Sequence, residues 1–168
     1  TVAHPQMTRP ENQNAGDLCA LGIAHRAGDV VLKDGSTVQV RAMRPEDDQA
    51  LLALFQSLSE ESIWLRFYSL LKGGALAAEA HREANLDHAF GLVALSGPDQ
   101  KVVGHAFYAG IDEHRAEVAF TISDDFQRRG LGTLLLGHLA EVAAAKAIQP
   151  FEAAVVALNH AMIRVFLE

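Results

Sequence analysis

Several things are scarce in this chain, and each shortage excludes something. The 168 residues contain one cysteine, Cys19. An internal disulfide is therefore impossible, and with no Cys or His beside it at metal-ligand spacing a zinc site has no footing. No apolar run approaches the ~20 residues that a membrane-spanning helix needs, and the N-terminus lacks the charged-then-apolar order of a secretory leader. Positive charge is short too: 14 Lys and Arg face 21 Asp and Glu, a net charge of −7. Binding to nucleic acid rests on basic side chains neutralising phosphates, so this balance argues against it. A Walker A pattern is missing, since Gly-Lys-Ser/Thr occurs nowhere. His81, His88, His105, His114, His138 and His160 show neither His-Glu-x-x-His nor any paired ligand spacing, and each reads as a surface or core residue. These absences leave a metal-free globular protein with no membrane or nucleic-acid partner, expected in the cytoplasm.

What is present suits one domain with a real core, since 49% of residues are hydrophobic and 21% charged. Residues 1–27 carry prolines, polar residues and little periodicity, and read as a flexible tail or linker ahead of a domain over 28–168. Val30-Val31-Leu32, a turn at Lys33-Asp34-Gly35-Ser36 and Thr37-Val38-Gln39-Val40-Arg41 read as a hairpin with Val38 and Val40 inward, because Asp-Gly between β-rich runs is a turn with a mechanism. Arg44-Pro45-Glu46-Asp47-Asp48 opens a helix, where proline is tolerated and acids favour the positive end. Leu51, Leu52, Leu54, Phe55 and Leu58 give that helix its apolar face. A second short helix starts at Ser59, and Gly73-Gly74 breaks the chain before a third over 75–85. Strands at 90–95 and 102–109 flank a polar turn as an antiparallel hairpin, and a strand at 115–122 lies next to them. A buried strand at 150–158 precedes a last helix capped by Asn159. The class is α/β (α+β), with a mixed, mainly antiparallel sheet flanked by helices.

The most informative stretch is 116–148, AEVAFTISDDFQRRGLGTLLLGHLAEVAAAKAI. In 118–122 four of five residues are apolar, β-branched or aromatic, as in a mostly buried strand. From Gly132 onward Leu134, Leu135, Leu139, Val142, Ala143 and Ile148 recur at about three to four residues, one face of a helix. A strand thus passes through a short polar turn straight into a helix N-terminus. There the first backbone N–H groups have no intrahelical partners and the helix dipole places roughly half a positive charge. Such an end attracts anions. Gly130 and Gly132 permit left-handed backbone angles and close approach, and Arg128 and Arg129 add charge. The competing dinucleotide pattern G-x-G-x-x-G fails, because its third glycine would fall at Leu135.

Gln127-Arg128-Arg129-Gly130-Leu131-Gly132 matches the Q/R-x-x-G-x-G/A signature, and on that match the chain resembles the GNAT superfamily of acyl-CoA-dependent N-acetyltransferases. The resemblance implies a GNAT-like fold whose fourth and fifth strands splay apart, with the pantetheine arm of acetyl-CoA in the gap. It also implies that the pyrophosphate lies on the backbone from Arg128 through Thr133, that is on Arg128, Arg129, Gly130, Leu131, Gly132 and Thr133, with Gln127 leading in. The run VLKDGSTVQVRAMRPEDDQALLALFQSLSEESIWLRFYS is similar to the N-terminal part of the bacterial protein lysine acetyltransferases of the Pat type. That second resemblance implies an acceptor protein, an acyl-CoA synthetase, as partner. It also matches a first strand and helix pair shared by many small-molecule GNAT enzymes.

Ala116-Glu117-Val118-Ala119-Phe120 resembles the strand in which GNAT protein acetyltransferases carry a general-base glutamate, which makes Glu117 the catalytic candidate. An ionisable residue in an apolar strand is costly unless paired or used, and desolvation would raise its proton affinity. The alternative is a solvated strand residue, paired with Arg115. Asp112 and Glu113 are weaker candidates for the same role. By the family pattern, a backbone amide near Phe120 polarises the thioester carbonyl and Ile122 pairs with the pantetheine amides. Asn159 stands where the family contacts CoA, and reads equally well as a helix cap. Seven residues on, the family's tyrosine acid is replaced by Phe166, which carries no hydroxyl. Trp64, Phe67 and Tyr68 are either the lining of an acceptor pocket or core aromatics of an amphipathic helix. The family's strands after the last helix are missing, so the chain reads as a domain cut from a longer protein. Three functions remain open: lysine acetylation of a protein, acetylation of a small amine, and a non-catalytic acyl-CoA-sensing module.

Overall fold

The computed structural model describes residues 28–148 and a strand at Phe151–Glu152. The N-terminal tail, the rest of the strand read at 150–158, Asn159 and Phe166 lie outside the described residues.

The sheet begins with the expected hairpin, β1 (Gly28–Val31) against β2 (Thr37–Ala42). Its turn closes through the Leu32 N–H on the Ser36 carbonyl at 2.8 Å, and Gly35 takes φ +84°. That left-handed angle is open to glycine and costly to most other residues. Val38 and Val40 face the core at 1% exposure each. After a 3-10 turn at Pro45–Asp47 come α1 (Asp48–Ser57), α2 (Glu60–Phe67) and α3 (Gly74–Ala84). Ser59 caps α2 by accepting the Ser62 N–H at 3.1 Å, as a serine at that position should. Gly73, at φ +53°, makes the break before α3.

β3 (Ala89–Ser96), β4 (Lys101–Gly110) and β5 (Ala116–Ile122) complete an antiparallel meander, and β6 (Phe151–Glu152) joins β5 in parallel. The strand order is β1-β2-β3-β4-β5-β6. A parallel neighbour requires a crossover, and α4 (Leu131–Ala145) supplies it. The sheet is covered on both faces. Leu131, Leu135, Leu139, Val142 and Ala143 of α4 pack with Val38, Val40, Leu92, Ala106, Tyr108 and Val118 on one side. Leu51, Leu54 and Phe55 of α1 pack with Ile63, Leu76, Ala80, Val93 and Val102 on the other. Val103 is an extra residue in β4, the bulge where pairing shifts between Ala94 and Leu95.

One detail differs from the sequence reading. The helix of the central stretch ends at Ala145 rather than carrying Ile148 on its face. Ala147 turns left-handed at φ +58° and the Ile148 N–H returns to the Ala143 carbonyl at 2.9 Å, a C-terminal cap that folds Ile148 back onto the core. Gly104 in β4 is a feature on which the sequence carries no reading. A Cβ there would stand 3.1 Å from Leu131 Cδ2 and 3.3 Å from both Ile122 Cδ1 and Leu135 Cδ1. The missing side chain lets the start of α4 sit close on the sheet.

Candidate functional site

The site is built where β5 leaves the sheet. The Ser123 N–H bonds the Val103 carbonyl at 2.8 Å, and a 3-10 turn at Asp124–Phe126 swings the chain away. Arg128 then takes φ +63° and Gly130 φ +84°, with Arg129 between them. Left-handed residues alternating with ordinary ones turn successive N–H groups toward one side, the concavity that holds anions. The Leu134 N–H on the Gly130 carbonyl, at 3.1 Å, opens the helical ladder of α4, so the dipole of this helix ends in that concavity. An arginine at a left-handed angle was not foreseen, because no sequence rule singles out Arg128 for it.

The side chains of the turn divide the labour. Gln127 Nε2 donates to the Ile122 carbonyl at 3.2 Å and to Ser62 Oγ and Asp124 Oδ1 at 3.3 Å each, so it fastens the turn to β5 and α2. Arg129 Nη1 pairs with Asp34 Oδ2 at 3.1 Å, and its guanidinium lies 4.7 Å over the Phe126 ring. Its carbonyl accepts the Lys33 N–H at 3.2 Å. The β1–β2 turn is thereby docked on the anion turn, a contact with no signal in the sequence. Arg128 is exposed. Leu131 is buried at 1% and serves the core with its side chain, while Gly132 and Thr133 are half-buried in the first turn of α4.

Glu117 stands at the other end of β5, opposite Ala109 on β4 and Glu152 on β6. It is exposed, where its apolar sequence neighbours suggest burial. Strand alternation explains this: Val118, Phe120 and Ile122 point to the α4 core, while Glu117, Ala119 and Thr121 take the face of α1 to α3. The described pairing with β6 joins Ala116 to Phe151 and Glu117 to Glu152. Arg115 pairs with Asp112 at 2.7 Å. Asp112 also accepts the backbone N–H groups of His114 at 2.9 Å and Arg115 at 2.8 Å. Led by the His114 bond, these donors hold its carboxyl down to about 2. Asp112 therefore shapes the β4–β5 turn.

Beneath Glu117's face of the sheet lies a buried charged cluster that periodicity alone did not reveal. Glu83 of α3 meets Arg66 of α2 in an ion pair, and Arg66 Nε donates to Thr121 Oγ1 of β5 at 3.0 Å. His105 Nδ1 stands 3.3 Å from Glu83 Oε2, an ion-pair distance without hydrogen-bond alignment. Burial pushes the Glu83 carboxyl up, yet Arg66, with His105 and Arg82, holds it net below its ordinary value. Arg82, bound to Glu79 at 3.1 Å and 3.8 Å from Glu83, also feels the charge of Glu117. His105 is a core histidine, one of the two readings open to it. Of the aromatics on α2, Phe67 packs edge-on to Phe55 at 5.1 Å, whereas Trp64 and Tyr68 are exposed at 39% and 50%.

A meander that ends in a parallel strand, with a left-handed turn and a helix N-terminus between, defines an α/β fold with a candidate anion site. Residues 51–168 match the family model described as Acetyltransferase (GNAT) family, and the chain belongs to that family. It is 31% identical over 138 residues to the Acetyltransferase Pat of Mycolicibacterium smegmatis, a match that takes in 81% of this chain and 41% of that protein. It is 30% identical over 135 residues to the Acetyltransferase PA5475 of Pseudomonas aeruginosa, covering 78% of this chain and 73% of that one. The chain therefore spans well under half of the mycobacterial relative. Among solved structures, the GNAT domain of S. lividans PAT superposes with a TM-score of 0.75 at 33% identity, covering 86% of each chain. The family's acyl donor is acetyl-CoA, and two left-handed residues at a helix end turn backbone N–H groups into a concavity suited to its diphosphate, with the Lys33 stem lying against Gly130 where a Cβ would stand.

Proposed function

We propose that the protein acetylates a lysine side chain of an acceptor protein by direct transfer from acetyl-CoA, with Glu117 as general base and an acyl-CoA synthetase as the acceptor. The Pat-type relatives support the acceptor class, and a cytoplasmic setting belongs to the same reading. The observation that carries it is the exposed Glu117 carboxylate on β5, the strand that runs on through Phe120 and Ile122 into the anion turn at Gly130. One strand thus joins a base to the acyl donor's site.

Bound there, acetyl-CoA supplies an activated acetyl thioester. An acceptor lysine has an ordinary pKa near 10.4, so about one in a thousand is neutral at pH 7 and a base that takes the proton is useful. Exposure leaves Glu117 open to an incoming ammonium, and docking of the acceptor would cover and desolvate the pair. The backbone N–H near Phe120 is assigned to the developing oxyanion, Ile122 to the pantetheine arm, and Asn159 to a CoA contact. The backbone of Arg128, Arg129, Gly130, Leu131, Gly132 and Thr133 is assigned to the diphosphate. Phe166 offers no proton to the departing sulfur, which favours a second reading, an acyl-CoA-sensing module without transfer.

Incubation of the protein with labelled acetyl-CoA and an acyl-CoA synthetase separates the readings. Label on a synthetase lysine, reduced roughly a hundredfold in Glu117→Gln at unchanged coenzyme A affinity, is expected. An unchanged rate would remove Glu117 from the mechanism. Tight coenzyme A binding with no transfer to the synthetase or to small amines would favour the sensing module.

A further inference from the structure

The β1–β2 hairpin precedes the residues 51–168 that match the acetyltransferase family model. Yet its turn is fastened to the anion turn at two points. The Lys33 N–H reaches the Arg129 carbonyl at 3.2 Å, and Asp34 pairs with Arg129 at 3.1 Å. Between those points the Lys33 side chain crosses Gly130. A Cβ on Gly130 would stand 3.1 Å from Lys33 Cε and 3.3 Å from both Cδ and Cγ. The ammonium is one bond, about 1.5 Å, further on. It is exposed, and among the described residues no carboxylate pairs with it. Arg129, by contrast, is committed to Asp34 and to the Phe126 ring. Asp34 would repel an anion bound nearby, and Arg129 neutralises it; the Ser36 hydroxyl, with Arg129 helping, holds the Asp34 carboxyl below its ordinary value.

We propose that Lys33, presented by the β1–β2 turn across Gly130, is a side-chain cation for the phosphates of coenzyme A, and that the Arg129–Asp34 pair positions it. The inference rests on the acetyl-CoA reading above and adds to it a binding residue from outside the matched family segment. The lysine stem covers the face of Gly130 that a side chain would fill, and its charge closes one side of the cradle. The hairpin turn becomes part of the cosubstrate site.

The test is calorimetric titration of coenzyme A, and of dephospho-coenzyme A, which lacks the 3′-phosphate. Lys33→Met keeps the apolar stem over Gly130 and removes the charge. It is expected to weaken coenzyme A about tenfold, with Lys33→Arg restoring most of the affinity and neither variant moving the urea midpoint. An equal loss for both ligands places the ammonium on the diphosphate, and a loss for coenzyme A alone places it on the 3′-phosphate. In an Asp34→Ala background the Lys33→Met effect should shrink, because an unanchored turn no longer holds the lysine in place. Wild-type affinity in Lys33→Met would overturn the proposal, as would a loss that Lys33→Arg fails to restore. Wild-type protein that takes up no coenzyme A would sink the acetyltransferase reading itself, and Lys33 with it.

Discussion

At the scale of single residues, the deepest carboxylate among the described residues is Glu83, whose side chain is fully buried against Arg66 and His105. A buried pair of this kind contributes little when compared with apolar replacements, but removing one partner strands the other. Glu83→Ala leaves the Arg66 guanidinium, 14% exposed, without its carboxylate, and should cost about 3 to 5 kcal/mol at pH 7 by urea unfolding. The pH dependence has a definite sign. The folded carboxyl lies below its ordinary 4.5, so its contribution is complete above that pH and fades as the pH falls through the folded value. The urea midpoints of wild type and Glu83→Ala should therefore converge as the pH drops below about 4.5, and a constant gap would mean that Glu83 is not ionised in the fold.

At the scale of elements, the seat of α4 on the sheet rests on one missing side chain. Gly104→Val would drive methyl groups into Leu131, Leu135 and Ile122, atoms that already crowd the position of a Cβ at 3.1 to 3.3 Å. Overpacking of this kind costs about 1 to 3 kcal/mol. Leu131 is the first residue of α4, so the same strain should tilt the helix end behind Gly130 and weaken coenzyme A binding. A lower thermal midpoint with unaltered binding would show that the helix end absorbs the strain elsewhere. The elements themselves were legible because their signals are local. An Asp-Gly turn, a serine cap, a glycine pair and a 3.6-residue apolar period each bear on a few neighbouring residues. Gly104 was not legible, since its reason lies 27 residues on, at Leu131. The same holds for Lys33 against Gly130 and for Glu83 against His105. Glu117 shows the converse error. Its apolar neighbours in sequence alternate across the strand, so they bury their own side chains and leave the glutamate in water.

At the scale of the whole molecule, the sheet separates two cores, one under α4 and one under α1 to α3, and a functional account must say how the two sides stay in register. Helix α2 and the turn at Gly130 belong to different sides, and Asp124 joins them. It accepts the Ser59 N–H at 3.0 Å and the Ser62 hydroxyl at 2.7 Å from the start of α2, and the Gln127 amide at 3.3 Å from the turn. Bonds to a carboxylate are stronger than neutral ones, but these lie in solvent-exposed positions, so Asp124→Ala should cost only about 1 to 2 kcal/mol of stability. Its functional effect should be the larger one. With Asp124 gone, Gln127 loses one of its anchors, and the start of α2 loses two bonds and keeps only the Ser62 contact with Gln127 and, further along, the Arg66 bond to Thr121. The dissociation constant for coenzyme A and the Michaelis constant for the acceptor protein should then rise together, each by up to about tenfold, the equivalent of about 1.4 kcal/mol. Measured side by side, a rise in one constant alone would show that α2 and the anion turn are held independently, and that the two halves of the site meet only through the shared strand β5.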